Sequence, residues 1–97
     1  MSDDHDGCID FLRRLIRTPS LPGHEGDLAR EVEREMNALG YPEVRIDAVG
    51  NVLGRIPGGD GPAVMFNTHL DHVDVGDPDR WPFPPFAAHT DSEHVWG

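Results

Sequence analysis

Four consecutive apolar residues, Ala63-Val64-Met65-Phe66, constrain this chain more than any other segment. A strand with one face in water alternates apolar and polar residues, whereas a run without alternation reads as a strand buried on both faces. The expected strand covers 63–67 and demands cover from other elements on either side. The residues just beyond the run give that demand a purpose. His69, Asp71, His72 and Asp74 fall there within six positions. Ligand-type residues released at the end of a buried strand are how α/β proteins usually build a site.

The upstream chain supplies candidate cover. Cys8, Leu12, Leu15 and Ile16 recur at helical spacing over about 8–17, with Arg13, Arg14 and Arg17 on other faces. Cys8 on that stripe reads as a small core residue. Pro19, Pro22 and Gly23 end the helix in a turn. A second helix is predicted over about 25–39, stacking Leu28, Val32, Met36 and Leu39 on one face. Gly40 suits the position just past its end, and Pro42 blocks continuation. The period then falls to two: Val44, Ile46 and Ala48 alternate with Arg45 and Asp47, and after a turn at Gly50-Asn51 residues 52–56 read as a partner strand.

Pro57 to Pro62 is a loop by composition. Pro82, Pro84 and Pro85 exclude helix or central strand from Trp81 to Phe86 and predict an aromatic loop seated on the body of the fold. Residues 87–96 read as two short strands around Asp91-Ser92-Glu93. The expected class is α/β, with two helices followed by a mixed sheet that is incomplete at Gly97. Residues 1–7 are read as a flexible tail and 8–97 as one unit.

Composition narrows the function classes. Eighteen acidic residues against eight Arg, with no Lys, give a net charge of −10. Such a surface repels phosphate backbones, so nucleic acid is not an expected partner. No window approaches the roughly 20 apolar residues of a membrane span, and the sequence opens on no secretory leader. One cysteine forms no internal disulfide. Together these point to the cytoplasm.

His69-Leu70-Asp71 is the most chemically suggestive triplet. On an extended segment residues i and i+2 share a face, so His69 and Asp71 would point together while Leu70 packs away. A metal-binding imidazole usually gives its second ring N–H to a carboxylate. The same spacing also suits a loop histidine bonded to a neighbouring Asp with no metal. His72 and Asp74 are weaker candidates, because adjacent side chains on an extended segment diverge. Asp77 and Asp79 flank Pro78 where Asp serves local turns. Trp81, Phe83 and Phe86 either line a pocket or plug the loop onto the body. His5, His24, His89 and His94 read as surface histidines. No phosphate loop, Ser or Cys nucleophile motif or paired-Cys zinc motif is present.

In order and spacing, these segments resemble the start of the M20 family of di-zinc peptidases and amidohydrolases, which includes acetylornithine deacetylase, succinyl-diaminopimelate desuccinylase, aminoacylase and carboxypeptidase G-type enzymes. The resemblance covers almost the whole chain. Phe11 to Ser20 is similar to the opening helix and its Pro-Ser turn, and Gly23-His24-Glu25-Gly26 to the start of the second helix. Gly50-Asn51-Val52 is similar to the family's G-N-V turn, and Asn67-Thr68-His69-Leu70-Asp71 to its G-H-x-D metal motif. Gly76-Asp77-Pro78, Trp81 and Pro85-Phe86 fit the pattern of its next loop. The chain departs from the family at Asn67, often Gly, and at His72, often Thr.

The resemblance implies a zinc-exopeptidase-like catalytic domain in which His69 is a zinc ligand and Asp71 the catalytic-site carboxylate that orients it. It implies two Zn2+ per site, with Co2+ as an alternative, about 3.5–4 Å apart and clamping an attacking hydroxide. The substrate would be a small peptide or N-acyl amino acid, and a lid domain further on would make homodimers. The bridging Asp of a G-R-G-x-x-D pattern, the general base and the other ligands would lie beyond Val95-Trp96-Gly97. The expectation is therefore an N-terminal portion of a metal-dependent hydrolase, inactive as 97 residues. The alternative is a stand-alone metal-binding or interaction module using His69, Asp71 and His72 without catalysis.

Overall fold

The computed structural model describes residues 3–97. Helix α1 spans Asp3–Ile16 and helix α2 Gly26–Ala38. Strands β1 (Glu43–Ile46) and β2 (Val52–Arg55) form an antiparallel hairpin, and a single 3-10 turn covers Pro78–Arg80. The described residues are thus mixed α/β, two helices followed by a small sheet. That sheet is two antiparallel strands rather than the mixed sheet expected. Residues 3–7, read from sequence as part of a tail, belong to α1, while residues 1–2 lie outside the described part.

Helix α2 is the centre of the packing, touching α1 on one side and the hairpin on the other. It ends where the sequence indicates. Gly40 takes φ +85°, its N–H donates to Asn37 O, and Tyr41 N–H reaches back to Met36 O. This pair of bonds is a Schellman cap, and the left-handed residue in it favours glycine. The hairpin then lies close against the end of α2. At Gly54 an added Cβ would sit 2.6 Å from Met36 Sδ and 2.8 Å from Tyr41 Cδ2, so β2 approaches by virtue of having no side chain there. Asp47 builds the hairpin loop by accepting from Val49 N–H, Asn51 N–H and the Asn51 side-chain amide.

Arginines set off the apolar stripe of α1 turn out to cross-link it. Arg14 reaches α2 with Nη1 2.7 Å from Glu31 Oε1 and Nη2 2.5 Å from Glu35 Oε1, and its Nε holds Asp10. Arg34 also binds Glu31. Arg13 Nε donates to the carbonyl of Ala88 across 3.0 Å, joining α1 to the far end of the chain. Ala88 is fully buried and held at φ 55°, a conformation costly for a residue with a Cβ. Leu28 and Ala29 of α2, with Pro85 and Ala88, are the buried apolar residues among those described. Cys8, by contrast, is exposed; the core role expected of it is not found.

The larger correction concerns 63–67. These residues belong to no strand, and Val64, Met65 and Phe66 are 80, 84 and 95 % exposed. The run is apolar enough to demand cover, but the described residues offer none. β1 and β2 pair with each other, and an isolated strand cannot satisfy its own backbone groups. Thr90 and Val95 make one antiparallel bridge, the remnant of the two short strands predicted there.

Phe66→Ala should change the unfolding free energy by no more than about 0.5 kcal/mol, where a buried Phe would cost about 3–5 kcal/mol; urea unfolding decides between them. Arg14→Met leaves two neighbouring carboxylates without their shared cation and should cost about 2 kcal/mol in the same assay. Arg34 first and Arg14 second hold the Glu31 carboxyl below its usual range. Its contribution is therefore present above the ordinary Glu value of ~4.3 and lost as pH falls through the depressed one. Carboxyl NMR titration should place Glu31 below that ordinary value in the parent chain and nearer to it in Arg14→Met.

Candidate metal-ligand site

The chain between α1 and α2 determines where the polar cluster sits. Pro19 and Pro22 forbid helix there, so the backbone groups of Ser20 need other partners. They find them fifty residues away. Ser20 N–H donates to His72 Nε2 at 3.0 Å, His72 N–H donates to Ser20 O at 3.1 Å, and the Ser20 hydroxyl donates to Leu70 O at 2.7 Å. With these bonds Ser20 is 1 % exposed. The buried polar residue is fully satisfied, and segment 70–72 is pinned to the α1–α2 connection.

Between the pinned residues lies Asp71. His69 Nδ1 is 2.9 Å from the Asp71 carbonyl oxygen and 3.1 Å from its carboxylate Oδ1. A carbonyl only accepts, so Nδ1 carries the proton, and in the neutral ring Nε2 keeps its lone pair. The His69 side chain is 80 % exposed and that of Asp71 42 %. The structure therefore brings together the two residues that the i, i+2 spacing pairs. It leaves an unprotonated ring nitrogen facing water with a carboxylate behind it, an arrangement that suits an imidazole ligand of a divalent metal.

The same donor logic gives His72 the opposite character. Its Nε2 must accept from the Ser20 amide, so Nδ1 bears the proton and donates to Val73 O at 2.6 Å. Both ring nitrogens are occupied, and no lone pair remains for a ligand. His72 is structural here, consistent with the divergence of adjacent side chains on an extended segment. Asp74, a weaker ligand candidate in the sequence, accepts from Gly76 N–H, and Asp77 caps the 3-10 turn through Asp79 N–H, the local turn role expected of it. Among the described residues no three His, Cys, Asp or Glu side chains gather into a metal-binding group. His69 with Asp71 thus fits one ligand of a zinc centre that takes roughly three.

The aromatic loop closes one side of this region. Trp81 Nε1 donates to Val75 O at 2.9 Å, and Phe86 lies 5.7 Å from the His72 ring. Phe83 stacks on His89 at 3.6 Å and meets Trp96 edge-on. Trp81 and Phe86, with Leu15, Leu28 and Leu70, line an apolar groove of about 390 Å³ next to the latch that Ser20 forms with Leu70 and His72. Of the two sequence readings of these aromatics, Trp81 and Phe86 line a groove, while Phe83 packs on His89 and Trp96. Sequence reasoning missed Ser20, whose one available signal was its place in the Pro19-Ser20 turn.

The chain is 35 % identical over 88 residues to the uncharacterized protein YgeY of Escherichia coli K12, and equally to that of Escherichia coli O157:H7. Each match covers 90 % of this chain and 21 % of the relative. The chain thus spans about a fifth of the length of the curated relatives it matches. No protein-family model matches it, and no solved structure does. None of the described helices is long and apolar enough to cross a membrane.

Proposed function

We propose that this chain is the N-terminal portion of an M20-type metallohydrolase that cleaves amide or peptide bonds in small N-acyl amino acids or peptides. One observation carries the reading: His69 presents Nε2 to solvent while Asp71 accepts from its Nδ1–H. His69 Nε2 would hold one zinc of the pair, and Asp71 would fix the tautomer and raise the basicity of the ligand. The metals supply Lewis-acid polarisation of the scissile carbonyl and an activated water. The remaining ligands and the general base would come from polypeptide beyond these residues, in keeping with relatives about four times as long. Alone, the 97 residues supply one ligand and should not turn over substrate. A non-catalytic metal-binding module is the weaker reading, because His72, which it requires, has no free nitrogen.

The test is a chimera in which this chain replaces the matched region of YgeY. Zinc content is measured, with hydrolysis of a panel of N-acetyl amino acids and dipeptides. The chimera should hold zinc and hydrolyse at least one panel member. His69→Ala should lose metal and turnover, and Asp71→Asn should lose about 10–100-fold in metal affinity or rate. A folded chimera without zinc, or full turnover after His69→Ala, would sink the proposal.

A further inference from the structure

We infer that Ser20 and His72 are the positioning residues of the His69–Asp71 pair, fixing the aim and tautomer of His69 from the α1–α2 connection; this rests on the proposed role of His69. The His69 side chain is 80 % exposed, and among the described residues its hydrogen bonds run to Asp71. Its orientation therefore depends on where Asp71 stands. The place of Asp71 is in turn set by its two neighbours. Leu70 O is held by the Ser20 hydroxyl, and His72 is held twice, through its N–H and its ring. Fixing residues 70 and 72 fixes the carbonyl and carboxylate of Asp71 between them; the carbonyl accepts from His69 Nδ1–H, and the carboxylate lies 3.1 Å from the same nitrogen. The run 63–67 lends no support from upstream, since it lies outside every strand and its large side chains are exposed. The latch holds the segment from one end.

His72 suits this role as an imidazole. It accepts at Nε2 from a backbone N–H and donates at Nδ1 to a backbone carbonyl, so one ring bridges Ser20 and Val73. A Gln side chain reaches far enough to replace the acceptor at the Nε2 position, and an Asn side chain does not. That difference separates positioning from mere packing.

Long-range 1H–15N NMR of the imidazoles in the full 97-residue chain, without metal and well above the ordinary histidine pKa of ~6.5, reads each tautomer directly. In the parent chain both His69 and His72 should be single Nδ1–H tautomers. His72→Asn and Ser20→Ala should each convert His69 to a mixture in which the Nε2–H form grows in, with helix content by circular dichroism unchanged. His72→Gln should keep His69 as Nδ1–H. The proposal falls if His72 in the parent chain carries its proton on Nε2. It also falls if His69 stays a single Nδ1–H tautomer in both folded disrupting variants. None of these readouts involves zinc, so a chimera that fails to bind metal would remove the functional reading and leave the latch standing.

Discussion

A buried serine whose polar groups are satisfied by residues fifty positions away ties the helical half of this chain to its chemical half. Burying Ser20 without partners would carry a penalty of about 1–3 kcal/mol for each stranded donor or acceptor. Here the amide, carbonyl and hydroxyl all meet residues 70–72. The bonds are long-range in sequence, so they enforce one register between the α1–α2 connection and the cluster loop. Arg13, bonded to Ala88, does the same further along. With so few of the described residues fully buried, such polar ties do much of what a larger hydrophobic core would do.

Elements whose determinants are local were legible. The span of α2, the left-handed Gly40, the period-two hairpin and the turn at Gly50-Asn51 are each set by a few neighbouring residues, and each appears close to its expected place, although Leu39, predicted on the apolar face of α2, is 66 % exposed. Elements whose determinants are distant were not. The run 63–67 announces a demand for burial, but burial depends on what else is present to provide it. Cys8 shows the same limit: it continues the apolar stripe of α1 in sequence, yet its side chain is exposed.

The candidate site divides along the same line. The pairing of His69 with Asp71 is a two-residue relation and comes from spacing on an extended segment. The fate of His72 is settled by Ser20, 52 positions away, and no local pattern distinguishes an imidazole with a free lone pair from one already engaged. Two histidines three residues apart carry the same tautomer for different reasons. One keeps Nε2 open, and the other commits it to the backbone. Counting ligand-type residues in the cluster overstates its capacity, and assigning each ring proton corrects the count.

This arrangement also shows how a loop can be anchored although the segment leading into it belongs to no sheet. In α/β proteins the strand is usually the rigid part and the loop inherits its position. Here the strand-like run is exposed and outside any sheet, while the loop immediately after it is anchored from the opposite side of the sequence by Ser20. A residue such as His69, with its own side chain in solvent, then has a defined aim because backbone bonds on either side of Asp71 give it one. The precision of the pair comes from hydrogen bonds, and it is independent of whether 63–67 ever acquires the cover that its composition demands.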